Sequence, residues 1–226
     1  MRLGKRNRGY SLVELLVATA LFTIITGTVF SLLMSSQLQY QGESSVTEAF
    51  QQANVAIDQI VRDVHSAGFP PKNSFMITVS DAHPENYALP FAWSPKYPAT
   101  PCTLKDCAIP GKYDLILEAD TGNGVQWIRY SLKDQTLKRA ITRKAPSDPV
   151  TSTEGDLLPY LDGVMNGDQG LAIFSYECDR GAPESVSNIR EVNINLIVQS
   201  AKPDPVTHVF RTINLTGQAV RFNPNQ

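Results

Sequence analysis

Between Leu15 and Gly42 the chain carries no charged side chain, and that one stretch limits what its amino terminus can become. The first twenty of these residues, Leu15–Met34, are mostly Leu, Val, Ile, Phe, Ala and Met. At ~1.5 Å per residue, a helix of that length crosses the ~30 Å hydrocarbon layer of a bilayer. Ahead of it, Arg2, Lys5, Arg6 and Arg8 place four cations in the first nine residues. A basic flank before an apolar run reads as a secretory signal or as an anchor. The signal reading fits poorly. Ala18-Thr19-Ala20 looks like a cleavage site, but only a short apolar run precedes it and Glu14 interrupts that run. The anchor reading is better, with the leader on the cytoplasmic side and the bulk of the chain on the other.

Glu14 is the anomaly. A carboxylate inside a membrane segment costs roughly 3 kcal/mol and is usually retained for a partner or a function. At the headgroup boundary it would cost little. Its distance from Gly9 and Tyr10 suggests more than tolerance. Cleavage between Gly9 and Tyr10 would make Glu14 the fifth residue of the product and give Tyr10 a cationic α-amino group at nearly the same depth. Opposite charges within ~4–6 Å attract strongly where the dielectric is low. Between staggered helices, Glu14 of one could then neutralise the amine of the next, which sets a register for assembly.

The run Gly9-Tyr10-Ser11-Leu12-Val13-Glu14-Leu15-Leu16-Val17-Ala18 resembles the signal shared by type IV pilins and type II secretion pseudopilins. The resemblance covers residues 5–35. It implies removal of residues 1–9 by prepilin peptidase, N-methylation of the new terminus and polymerisation from the bacterial inner membrane. Tyr10 departs from the Phe or Met usual in the family, which bears on methylation more than on cleavage.

Beyond the anchor, Val46, Phe50, Ala53, Ile57, Ile60 and Val64 recur at spacings of three and four, a stripe along one helix face. Glu43, Glu48, Asp58, Arg62 and Asp63 fall off that stripe, and Gly68 followed by Pro70-Pro71 stops the helix. Residues 10–67 are therefore expected to form one helix of ~87 Å, its weakest point at Thr26-Gly27-Thr28. Residues 10–36 would serve as the membrane and assembly half, and residues 37–67 as the amphipathic half.

Residues 68–226 read as a β-rich domain placed in the periplasm or outside the cell. Strands are expected over 113–119, 125–132, 136–143, 171–178, 189–199 and 206–215, with Asn123-Gly124 as a tight hairpin turn. Val192, Ile194, Leu196 and Val198 alternate with Asn193, Asn195 and Gln199, as a half-buried antiparallel strand requires. The fold class is α+β, a long amino-terminal helix packed on an antiparallel sheet. The fragments Tyr113-Asp114-Leu115, Trp127–Tyr130 and Leu137-Lys138-Arg139 look like those of the minor pilins called PilW and of the J-type (PulJ-like) pseudopilins. Residues 84–110 hold six prolines and the aromatics Tyr87, Phe91, Trp93 and Tyr97. They read as a long irregular insertion, tied by a disulfide between Cys102 and Cys107. It serves either as a partner surface through Trp93 and Tyr97 or as a satellite core. Cys178 reads as a small buried hydrophobe at a strand end.

Catalytic chemistry is not expected. His65, His83 and His208 are scattered without a second ligand at metal spacing, and no nucleophile elbow or phosphate-binding loop appears. No cofactor, metal or small-molecule substrate is called for. From Gly68 onward 15 Lys/Arg face 17 Asp/Glu, so a nucleic-acid partner is not expected either. The local cluster Lys133, Lys138, Arg139, Arg143 and Lys144 reads as a solvated hairpin face. The resemblance implies a minor pilin that helps initiate or cap a pilus, with prepilin peptidase, other pilins and the inner membrane as partners. The alternatives are a J-type pseudopilin at the tip of a type II secretion pseudopilus, and a tip-borne adhesin or DNA-uptake receptor.

Overall fold

The computed structural model describes residues 11–76, 83–89, 91–92, 111–144, 156–179 and 188–222. Helix α1 spans Leu12–Ser66 without a break, passing straight through Thr26-Gly27-Thr28. Its residues 11–41 are all exposed, and burial begins at Gly42. The helix ends as expected, with Gly68 at φ 77° and its N–H donating to the Glu118 carbonyl at 2.9 Å.

Strands β1 (Phe91–Ala92), β2 (Asp114–Asp120), β3 (Val125–Lys133), β4 (Thr136–Arg143) and β5 (Leu158–Leu161) form one antiparallel sheet in that order. Strands β6 (Phe174–Cys178), β7 (Ile189–Gln199) and β8 (Thr212–Val220) form a second. The fold is α+β. Helix α1 packs chiefly on β8 and β7, and also reaches β2 and β5. One apolar core joins Ile57, Ile60 and Val64 of the helix to Leu115, Ile128 and Leu137 of the first sheet and to Val192, Ile194 and Leu196 of the second. The two sheets are stitched at Lys112, whose carbonyl accepts the N–H groups of Ile173 and Phe174, and at Tyr176, whose hydroxyl donates to the Asp114 carbonyl at 2.7 Å. Asn166 is fully buried, with Oδ1 accepting the Ile197 N–H and Nδ2 donating to the carbonyls of Asn195 and Ala172.

Several expectations are corrected. The last strand is not at 206–215 but at Thr212–Val220, because residues 204–210 form a loop folded around Asp204. The 171–178 strand starts at Phe174, and two short strands, β1 and β5, were not anticipated. Asn123-Gly124 is half of a four-residue loop, since Asp120 pairs with Val125 and the Asp120 carboxylate collects the N–H groups of Gly122 and Gly124. The tight two-residue turn is instead Asp134-Gln135, between the paired Lys133 and Thr136, with Asp134 at φ 54°.

The helix stripe is also shifted. Ala53, Ile57, Ile60 and Val64 are buried, but Phe50 is 45% exposed and Val46 half-buried, while Ser45 and Ala49 face the domain instead. Farther along, at Ile57, the helix lies close to β8. At Gly217 of β8, an added Cβ would stand 2.5 Å from Ile57 Cγ2. Phe91, from the proline-rich insertion, is 2% exposed and belongs to the main core, not to a satellite. Trp93, Tyr97, Cys102 and Cys107 lie outside the described residues. Cys178 ends β6, the strand-end position expected of it, but is half-buried against the core rather than buried.

Candidate assembly site on the amino-terminal helix

Glu14 occupies the first turn of α1, three residues after Ser11, whose carbonyl accepts the Leu15 N–H at 3.1 Å. The first turn of a helix carries partial positive charge, so a carboxylate is favoured there. Ser11, Val17, Ala18 and Leu21 share its face and form a shallow apolar depression around it. Among the described residues, none donates a hydrogen bond or an ion pair to Glu14. The nearest part of the folded domain begins at Gly42, ~42 Å along the helix axis. The described part of the chain's own domain therefore does not contact this carboxylate.

The helix that carries Glu14 is long and apolar enough to cross a membrane, and its most apolar part is unburied. Residues 4–30 match the family model described as the prokaryotic N-terminal methylation motif. The chain carries a prepilin-type amino terminus. The match supports a type IV pilin-like protein, pilin or pseudopilin, structural in kind, and with the exposed helix it fits a membrane-anchored chain. It ends inside α1, so the β-domain lies beyond it. No curated protein and no solved structure matches the chain. Gly9 and Tyr10 of the pilin-like signal lie outside the described residues.

A second set of groups fixes how the pilin-like stalk meets its domain, and sequence reasoning missed it. Asp63, expected off the buried stripe, is 3% exposed. Its Oδ2 accepts from the Tyr130 hydroxyl at 2.6 Å and from the Arg139 guanidinium at 2.8 Å, and its Oδ1 accepts from Gln59 Nε2 at 2.8 Å. Arg139 also lies over the rings of Tyr130 and Tyr160, at 5.5 and 5.9 Å from their centroids. Burial, and next the Asp63 carboxylate, push the Tyr130 hydroxyl far above its ordinary range, so it stays a donor. The available signal was parity. Arg139 shares its strand face with Leu137, a core residue, and stands opposite Tyr130 in the β3–β4 register.

The basic cluster therefore does not form one solvated face. Arg139 points to the helix, Lys133 and Arg143 are exposed, and Lys144 is 5% exposed. Lys144 Nζ donates to Glu118 Oε2 at 2.7 Å and to the Tyr87 carbonyl at 3.0 Å. Glu118 Oε2 also accepts the Leu89 N–H at 2.9 Å, so this buried pair clamps residues 87–89 onto the sheet face opposite α1. Burial raises the Glu118 carboxyl, and Lys144 opposes that rise. Of the five cations, Arg139 and Lys144 are thus held in internal ion pairs, while Lys133 and Arg143 face solvent. Among the described residues, no group of three His, Cys, Asp or Glu side chains is placed to hold a metal ion.

Proposed function

We propose that this chain is a minor pilin, cleaved between Gly9 and Tyr10 by prepilin peptidase and incorporated into the initiating or tip complex of a type IV pilus. One observation carries the reading. A lone carboxylate, Glu14, sits in the otherwise uncharged segment 11–41, which stands clear of the described domain. A helix that is apolar all round requires lipid or other helices around it. A buried carboxylate requires a cation, and the amine released at Tyr10 is the nearest one the chain can supply to a neighbour. A described domain of two sheets, larger than a densely repeated shaft subunit requires, suits a low-copy position. The same features would serve a pseudopilin of the PulJ type in a secretion machine. Trp93 and Tyr97 remain the proposed partner surface, and Cys102 and Cys107 a proposed disulfide.

The decisive measurement is the intact mass of the membrane-extracted protein, alongside the phenotype of a deletion strain. A mass lacking residues 1–9 and gaining one methyl, with two hydrogens fewer for the disulfide, is expected. Loss of surface pili with secretion intact is expected on deletion. A native chain that keeps Met1 would end the proposal, and loss of secretion with normal piliation would transfer it to the secretion machine.

A further inference from the structure

The uncharged stretch Leu15–Gly42 has 28 residues and is helical throughout. At ~1.5 Å per residue it measures ~42 Å, the thickness of a bilayer with both headgroup layers, ~40–45 Å. Gly42 then lies at the headgroup surface, and the folded domain begins there. The element packed at that level is the loop between β7 and β8. The Lys202 N–H donates to Ser45 Oγ at 3.2 Å, and a Cβ at Gly42 would stand 3.3 Å from Pro205 Cδ. The loop thus descends α1 from Ser45 to Gly42, toward the apolar half of the helix, before it turns back.

Its turn is rigid and presents apolar groups outward. The Asp204 carboxylate collects the N–H groups of Val206 and Thr207 and pairs with Arg211, and the Asp204 backbone bonds to Val209 and His208. That arrangement turns the only acid of the loop inward, at 6% exposure, and leaves Lys202 and His208 outside. Val206 is 65% exposed, Val209 62% and Phe210 45%. A polar loop would satisfy water with fewer constraints. One that holds Val206 and Val209 out, hides its carboxylate and sits at the end of a membrane helix fits the headgroup boundary.

We propose that the 204–211 loop is an interfacial anchor, with Val206 and Val209 seated in the lipid headgroup boundary of the face that bears the domain. The anchor fixes the tilt and rotation of the domain over the membrane before assembly. It rests on the reading that residues 15–34 cross a bilayer.

The test uses the full chain reconstituted in phospholipid vesicles carrying bromine high on the acyl chains, with tryptophan emission read as the difference from the parent chain. Three single variants at exposed positions are compared: Val209→Trp, Phe22→Trp and Leu158→Trp. Leu158 pairs with Arg139, which bonds Asp63, so it stands ~30 Å farther up the helix than Gly42. Quenching of Val209→Trp at least about threefold that of Leu158→Trp is expected, because interfacial anchors bury their apolar groups ~5–10 Å into the acyl boundary. If Phe22→Trp is quenched while Val209→Trp matches Leu158→Trp, the loop proposal is overturned and the membrane span stands. If Phe22→Trp is not quenched, the span falls and the anchor with it. Protection of Val209→Trp that grows with protein density rather than with brominated lipid would mean that a second copy covers the loop, and would also overturn the proposal.

Discussion

Asp63 and Tyr130 meet at 2.6 Å across the boundary between stalk helix and sheet, and their contact is the buried polar point on which the two halves of the molecule are registered. An apolar helix face can slide along an apolar sheet at small cost, since hydrophobic contact is not directional. A buried carboxylate cannot slide, because any displacement leaves it and Arg139 short of partners. The stalk therefore meets the domain at a defined register.

Removing the carboxylate is expected to hurt more than removing one of its donors. Asp63→Ala strands the partly buried Arg139 and should cost roughly 3 kcal/mol or more. Tyr130→Phe removes one donor and leaves the ion pair, so about 1–2 kcal/mol is expected. Urea unfolding of the full chain in detergent, followed by tyrosine and tryptophan emission, measures both. Equal losses would mean that the ion pair is not the fixing element.

The helix approaches β8 closely enough that one methyl matters. Gly217→Ala would place Cβ 2.5 Å from Ile57 Cγ2, a side chain only 7% exposed. Overpacking of this kind costs about 1–3 kcal/mol. Ile57→Ala removes the obstructing atom, so the double variant should be more stable than the sum of the two single losses predicts. An additive result would show that the helix backs away freely.

The Asp204 loop should open in acid. The N–H groups of Thr207 and Val206, then Arg211, hold its carboxyl down to about 2. A carboxyl whose folded value is depressed contributes stability that is fully present above its ordinary range near 4 and lost as pH falls through the folded value. Pepsin cleavage beside the exposed Phe210 is therefore expected to be slow at pH 4 and to accelerate toward pH 2. Asp204→Asn should be cut readily at both.

The buried clamp on the other sheet face makes a separate prediction. Lys144→Met leaves Glu118 without its cation at 1% exposure, at an expected cost of about 3–5 kcal/mol. The local sign is faster amide exchange at Leu89 and Ala88, whose N–H groups bond to Glu118 and to the Pro70 carbonyl. Unchanged exchange at both would show that other contacts hold this segment.

Glu14 separates folding from assembly. It is exposed and ~42 Å from the folded domain, so Glu14→Ala should leave the unfolding midpoint unchanged within about 0.5 kcal/mol. Incorporation into filaments, scored by immunoblot of sheared surface fractions, should fall sharply. Normal incorporation would remove the role proposed for this residue.

What could be read from one dimension was local and periodic. The unbroken helix, its end at Gly68, the extent of β4 and β7 and the alternation of Val192, Ile194, Leu196 and Val198 all follow from spacing and turn chemistry. The pilin-like signal is likewise a short run of neighbours. The tertiary structure decided what depends on partners far apart in the chain. Asp63 is buried because Tyr130 and Arg139 arrive from 67 and 76 residues away, and polar composition alone cannot distinguish such a residue from a solvated one. The last strand begins at Thr212 because Asp204 gathers the preceding apolar residues into a loop, though Val206–Leu215 has strand-like composition. Phe50 lies outside and Ala49 inside because the face that α1 buries is set by its contacts with the assembled sheets, which apolar spacing alone does not fix. Hydrophobic period points a helix toward a core, whereas the width of the space it enters and the charges waiting there belong to the assembled fold.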